Sequence, residues 1–258
     1  MNILDRFDLS GKVALVTGGA GLYGRQITEA LAQAGAGTYI ASRNQEPSER
    51  LASQCREQGL NVKYAMLDQA DETSVRQLED YLRNDAGHVD ILVNNAVLRP
   101  MANWSSPVAD FARSMEVNAT GLFLMTRTFG EHMAQRGGGS IINVGSIQGS
   151  VGPDFSLYKG LDWETPPDYF FHKGGLLNFS RFAAAKLGPR NVRVNVVSPG
   201  GFLADQDPTF VERYVARTML GRMANSTDLQ GAIVFLASDA SEYITGANLF
   251  VDGGYTAM

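Results

Sequence analysis

Cysteine is almost missing: Cys55 stands alone, which excludes an intrachain disulfide and any cysteine-clustered zinc or iron site. A reducing, cytoplasmic setting is the expectation. No run approaches the roughly 20 apolar residues of a membrane span, and the opening MNILDRFDLSGK has no apolar signal-peptide core. Basic excess is missing too. The 22 Lys and Arg are interspersed with 27 Asp and Glu, and a formal net charge of −5 offers no cationic face to nucleic acid or to an anionic membrane. His88, His132 and His172 are scattered without metal-ligand spacing, so no metal site is expected. What remains is a hydrophobic share of 44 %, enough for a sizeable core, and small molecules or protein as the expected partners.

Short β-branched runs alternate with longer helical segments: VALVT (13–17), TYIA (38–41), VKYAML (62–67), DILVN (90–94), SIINVGS (140–146), VRVNVV (192–197) and NLFVD (248–252). Near-continuous apolar strands separated by helices predict an α/β fold, a Rossmann-like, doubly wound, seven-stranded parallel sheet with helices on both faces. No repeat, low-complexity tract or linker divides the chain, and RGGGS (136–140) reads as a helix-to-strand turn. One domain over residues 1–258 is expected.

After the first strand, Gly19, Gly21 and Gly24 stand in G-x-G-x-x-G spacing at the start of a helix reading Ile27, Ala30, Leu31. Missing Cβ atoms let backbone approach a pyrophosphate, while free N–H groups and the positive helix end face the anion. The second strand then ends Ile40-Ala41-Ser42-Arg43-Asn44, with no carboxylate there for a ribose 2′-hydroxyl. Ser42 and Arg43 suit a 2′-phosphate, which favours NADP over NAD as cofactor.

These landmarks, with others in order, resemble the short-chain dehydrogenase/reductase family over essentially the whole chain. Thr17-Gly18 and the glycines resemble its cofactor loop. Asp68 in MLDQAD resembles the aspartate near the adenine, Asn94-Asn95-Ala96 the NNAG motif, and Asn118 in EVNATG the helix asparagine of the catalytic set. Ser146 in NVGS, Arg193-Val194-Asn195 with Ser198-Pro199-Gly200-Gly201, and the ending Val251-Asp252-Gly253-Gly254 continue the match. The resemblance implies cofactor contacts from Gly18, Ala20, Gly21, Leu22, Tyr23, Gly24, Ser42, Arg43, Asp68, Gln69, Asn95, Ala96, Pro199, Gly200 and Phe202. Asp68 also reads as an ordinary strand-end cap. A homotetramer or homodimer is implied as well. Three positions depart from the pattern: Leu22 holds the middle glycine position of the loop, Val97 replaces the glycine of NNAG, and Ala204 stands where a threonine often holds the nicotinamide amide. The resulting glycine spacing resembles the sugar-nucleotide epimerase branch, whose extra C-terminal substrate domain this length does not accommodate.

Two tyrosines compete for the acid–base role. A tyrosine with a pKa of about 10 needs an adjacent positive charge to work near neutrality. Tyr169 and Lys173 stand four apart on a predicted helix from Pro167 to Leu187, so both point into one cleft. Thr165 and the prolines suit the entrance of that helix, Phe170, Leu177 and Ala184 or nearby residues its buried stripe, and Gly188-Pro189 its end. Tyr158 instead has Asp162 four residues on, a neighbour that raises a phenol's pKa, and lies in a predicted loop. It follows Ser146 by 12 residues, the family's usual separation, against 23 for Tyr169. The Tyr–Lys register is the stronger constraint, which makes 153–167 an insertion between Ser146 and Tyr169.

On this reading Tyr169 is general acid/base and Lys173 lowers its pKa while contacting the nicotinamide ribose. Ser146 polarises the substrate oxygen, and Asn118 holds a water linking Lys173 to solvent. His172, beside Lys173 in sequence, is read as packing or surface. Tyr158, Lys159, Asp162, Trp163 and Glu164 in the insertion suit a hydroxylated substrate, 201–220 reads as a lid, and Arg213, Arg217 and Arg222 in or just after it are carboxylate candidates or solvated side chains. Met115, Phe123, Met125 and Phe129 read as core or subunit interface. The expected activity is NAD(P)-dependent interconversion of a secondary alcohol and a carbonyl on a polyol, sugar or sugar acid. A nucleotide-sugar epimerase or dehydratase, and a catalytically silent dinucleotide-binding protein, are the alternatives.

Overall fold

A computed structural model describes residues 2–257. Strands β1 (Val13–Thr17), β2 (Gly37–Ser42), β3 (Val62–Met66), β4 (Ile91–Asn94), β5 (Gly139–Val144), β6 (Val192–Pro199) and β7 (Asn248–Val251) pair in the order β3-β2-β1-β4-β5-β6-β7. Every pair is parallel. Between them run α1 (Leu22–Gln33), α2 (Gln45–Glu57), α3 (Glu72–Asp85), α4 (Val108–Met115), α5 (Leu122–Gln135), α6 (Pro167–Leu187), α7 (Pro208–Val215) and α8 (Gln230–Ala237).

The apolar strands make sense as a two-sided core. Leu15, Leu92, Ile141 and Val194 lie in register across four strands and face Leu78 of α3, Phe129 of α5 and Leu187 of α6. Their neighbours Val16, Val93, Ile142 and Val197 face the other way, onto Ile27 and Leu31 of α1 and Ile233 and Leu236 of α8. Each fully buried side chain of this kind contributes about 1.5–3 kcal/mol, so a polar residue on either face of the central strands is costly. The strand order reverses between β1 and β4. In such sheets the crevice outside the strands' carboxyl ends, at the reversal, is where ligands bind.

Helix α6 begins with Pro167 in its first turn, after an extended Pro166, and ends at Gly188 as its sequence predicts. Its buried stripe falls on Ala184 and on residues next to the others named. Ala184 is buried, but Phe170 and Leu177 are only half-buried; the stripe runs Asp168, His172, Leu176, Ala183 and Leu187. This rotation leaves the adjacent Tyr169–Lys173 face turned to the crevice, and the small Ala183 and Ala184 let the helix lie close to the sheet. The methionine and phenylalanine set also divides: Met125 and Phe129 are fully buried, Met115 is half-buried, and Phe123 is exposed. No helix among the described residues is long and apolar enough to cross a membrane.

Candidate active site

The glycine turn after β1 is laced to the end of β4. Thr17 Oγ1 accepts the backbone N–H groups of Asn95 and Ala96, each at 3.0 Å, while Asn95 Nδ2 donates to the carbonyls of Thr17 (3.0 Å) and Gly18 (2.9 Å). Glycine is required at two places. Gly18 has φ +63° and a Cβ there would stand 2.9 Å from Ala96 Cα; a Cβ on Gly24 would stand 2.2 Å from the Gly18 carbonyl oxygen. No side chain caps α1, so its first N–H groups and the positive end of its dipole are presented to the crevice.

Gly18, Ala20, Gly21, Leu22, Tyr23 and Gly24 form one wall of a cavity of about 800 Å³, within the range of small-molecule and cofactor sites. Ser42, Asn95 and Ala96 continue it, and Pro199, Gly200 and Phe202 close the far side. Tyr23 bridges the two walls. Its hydroxyl donates to the Gly200 carbonyl at 2.7 Å and its ring meets Phe202 edge-on at 5.3 Å. Arg43, Asp68 and Gln69 lie in a smaller adjoining cavity of about 140 Å³ that shares Ser42 and Ala96. There Arg43 Nη1 is 3.8 Å from Asp68 Oδ2, and Asp68 Oδ1 also accepts the Ala70 N–H at 3.1 Å, so this aspartate caps the strand end as well as facing the cavity.

Ser146, Tyr169 and Lys173 meet in the large cavity. Ser146 follows β5 and its Oγ accepts the Gln148 N–H at 3.1 Å, which fixes the hydroxyl at the start of a single tight turn. Lys173 is buried, with Nζ donating to the Val144 carbonyl at 2.6 Å and lying 5.7 Å from the centre of the Tyr169 ring. Burial pushes the Tyr169 hydroxyl up, but the Lys173 charge, then the Arg99 charge, and hydrogen bonding to Ser146 and Arg99 overcome it. The net direction is down from an ordinary tyrosine. Burial lowers Lys173 in turn.

Asn118 has its side-chain amide fully engaged within the protein. It sits in a π-helical turn, Glu116–Gly121, between α4 and α5. Its Oδ1 accepts the Leu98 N–H (2.9 Å), and Nδ2 donates to the Leu98 carbonyl (2.7 Å) and to Ser114 Oγ (3.0 Å), so both amide hydrogens are used. A small cavity of about 10 Å³ separates Asn118 from Lys173 and is also lined by Asn94 and His172. His172 is packing rather than surface: it is buried, its ring lies edge-on to Tyr169 at 5.2 Å, and burial followed by the Lys173 and Arg99 charges lowers its pKa to about 3. It is a neutral wall of the site.

Tyr158 lines the same cavity in different company. It ends a short 3₁₀ turn, Phe155–Tyr158, and packs against Trp163 (5.0 Å) and Phe210 (5.4 Å). Its pKa is raised as expected, but burial is the leading cause and Asp154, not Asp162, is the contributing carboxylate. The three candidate arginines are all engaged within the protein. Arg213 donates to the carbonyls of Leu157 (3.1 Å) and Lys159 (2.7 Å), Arg217 pairs with Asp154 (2.8 Å), and Arg222 grips Asp228 with both Nη atoms. Arg213 and Arg217 fasten the 201–220 segment to residues 154–159.

The arginine that does face the cavity is Arg99, which sequence reasoning missed. Its guanidinium lies 4.4 Å from the centre of the Tyr169 ring. A charged residue directly beyond the carboxyl end of a central strand, ahead of a proline, was the available signal.

Comparisons with known proteins agree with this geometry. A family model described as enoyl-(acyl carrier protein) reductase matches residues 21–256. D-threitol dehydrogenase of Mycolicibacterium smegmatis is 35 % identical over 257 residues, covering 97 % of this chain and 95 % of its own. Gluconate 5-dehydrogenase of Gluconobacter oxydans is 31 % identical over 264 residues, covering 98 % and 97 %. Among solved structures, a gluconate 5-dehydrogenase from Burkholderia cenocepacia in complex with NADP and tartrate superposes with a TM-score of 0.91 at 33 % identity, covering 100 % of both chains. With the parallel sheet, the glycine cradle and relatives of this kind along its whole length, the chain belongs to the short-chain dehydrogenase/reductase family and is an NAD(P)-dependent oxidoreductase that interconverts an alcohol and a carbonyl.

Proposed function

We propose that this oxidoreductase acts on polyols or sugar acids, prefers NADP, and uses Tyr169 as its acid–base group. The observation that carries the reading is the meeting of a hydroxyl held below its ordinary pKa with a buried lysine and a fixed serine in one cavity. Gly18 to Gly24 fit the pyrophosphate, since the backbone there tolerates no side chain at Gly24. Asn95, Ala96, Pro199, Gly200 and Phe202 would enclose the remaining dinucleotide, and Arg43 with Ser42 would take a 2′-phosphate. When bound, the nicotinamide supplies the hydride acceptor or donor.

In the oxidative direction the Tyr169 phenolate takes the alcohol proton while Ser146 holds that oxygen by a hydrogen bond. In reduction the same hydroxyl returns the proton. Lys173 stabilises the phenolate. A water in the polar cavity between Asn118 and Lys173 would carry the proton onward, satisfying Asn94 Oδ1 and His172 Nε2, which have no protein partner; room for one water is about 10–15 Å³. Asn118 shapes that path through its backbone position.

Relatives that oxidise threitol and gluconate support the substrate class, and the NADP complex of a similar enzyme supports the cofactor. The 153–167 segment is the enlarged substrate-side loop: Trp163, Glu164 and Tyr158 from it line the cavity. The whole chain acts as one cofactor-binding and catalytic domain in a reducing, cytoplasmic compartment. It assembles as a dimer or tetramer, for Phe171 and Phe182 on α6 leave about two thirds of their surface exposed. A panel of polyols and sugar acids assayed at 340 nm with NADP and NAD tests the reading. Turnover should favore NADP, and Arg43→Glu should weaken NADP about 10- to 100-fold by removing a charge-assisted phosphate contact. Equal use of both cofactors by wild type and variant would remove the Arg43 assignment.

A further inference from the structure

The electrostatics of the cavity are unbalanced around Tyr169. Lys173 and Arg99 both face it, and neither forms an ion pair with a carboxylate among the described residues. The other arginines near the cavity, Arg213 and Arg217, are spent on the 154–159 segment. Glu164 lines the same cavity, but its Oε1 accepts the Trp104 N–H at 3.0 Å and so is held at the rim.

Arg99 is also held in place from both sides. The Asn118 amide clamps the N–H and carbonyl of Leu98 immediately before it, at 2.9 and 2.7 Å. Pro100 immediately after it restricts its backbone to extended conformations. The guanidinium then rests on the Tyr169 ring at 4.4 Å. A planar cation without a carboxylate partner, held against the reacting tyrosine, is a receptor for a planar anion.

We infer that Arg99 is the anchor for a substrate carboxylate, so that the enzyme selects hydroxy acids of the sugar-acid class, with the carboxylate on Arg99 and the reacting hydroxyl at Tyr169. This rests on the dehydrogenase reading and narrows it from polyols and sugar acids to the acids. Glycine loops and the Tyr–Lys pair do not require it. The π-helical turn acquires a purpose as well: through Asn118 it sets residue 98, and so Arg99 is aimed by a helix on which it does not lie.

The test uses two matched pairs that differ only in carboxylate against hydroxymethyl: tartrate with threitol, and gluconate with sorbitol. Each is titrated calorimetrically into the protein saturated with NADP, for wild type, Arg99→Gln and Arg99→Lys, and each is assayed for turnover. Wild type should bind the acid more tightly than its neutral partner by about 10- to 100-fold, the scale of a bidentate charged contact. Arg99→Gln should erase that preference while leaving threitol binding unchanged, and Arg99→Lys should restore part of it. No binding preference in wild type, or equal losses of affinity for acid and polyol in Arg99→Gln, overturns the assignment; turnover is expected to fall for both substrates in that variant, because Arg99 also lowers the Tyr169 hydroxyl. Fast turnover of neutral polyols without acid preference would sink the carboxylate site and leave the dehydrogenase intact. Arg99-dependent binding of tartrate with no alcohol oxidised would do the reverse.

Discussion

Tyr158 and Tyr169 look onto one cavity, and their surroundings drive their hydroxyls in opposite directions. Tyr158 sits among Trp163, Phe210 and the edge of the lid, where burial raises its pKa. Tyr169 is half-buried like Tyr158 and its hydroxyl is desolvated too, yet Lys173 and Arg99 reverse that penalty. Burial is therefore common to both, and the fixed cations separate them. An aromatic nest raises one phenol, and two cations lower the other.

The largest effect should come from exchanging each hydroxyl for hydrogen. Tyr169→Phe should cost kcat/KM on the order of 10²–10⁴, the usual worth of a positioned acid–base group, whereas Tyr158→Phe should cost less than tenfold and mainly in KM. The reverse order in steady-state kinetics would assign the chemistry to Tyr158. Next, Lys173→Met removes the first of the two cations. The groups facing the Tyr169 hydroxyl are Lys173, Arg99, Ser146 and the neutral His172, with Glu164 at the rim. Losing a positive charge raises the phenol's pKa, so the rising limb of kcat/KM against pH for alcohol oxidation should move to higher pH. A profile that stays put means that Lys173 does not tune the tyrosine.

Smaller changes probe the other tyrosine. Trp163→Ala removes an edge-on aromatic pair worth about 0.5–1.5 kcal/mol, and should raise KM several-fold with kcat unchanged. A fall in kcat instead would tie Tyr158 to the chemical step. Smallest is Arg217→Ala, which breaks a half-exposed pair with Asp154 between the lid and the 153–167 segment. Chemical denaturation should report about 1 kcal/mol or less, with turnover kept within a factor of two or three.

The sheet was readable because its strands are short β-branched runs, buried on both faces, and nothing local competes with that pattern. Helix α6 was readable at both ends for a related reason: its prolines and Gly188 act locally. Its stripe was readable only to within a residue or so, since the turn of a helix about its axis is chosen by what it packs on, here a close approach that Ala183 and Ala184 allow. The same distinction holds in the site. Glycine spacing and the Tyr169–Lys173 register are local geometry. Arg213 and Arg217 looked free because their partners lie 54 to 63 residues away in sequence, and Arg99 looked unremarkable because its partner is on another element. Asn118 was placed correctly in the neighbourhood of Lys173, but its amide was already spoken for by Leu98, a contact 20 residues back.

The Tyr23 bridge carries a mechanical consequence. Gly200 is the root of the 201–220 segment, and the Tyr23 hydroxyl fastens that root to the helix bearing the glycine cradle. Displacing the root of that segment would therefore pull on the cradle, so the two walls of the cavity share one pin. Cutting it with Tyr23→Phe should uncouple the two dissociation rates, which stopped-flow release of NADPH in the presence and absence of substrate would read.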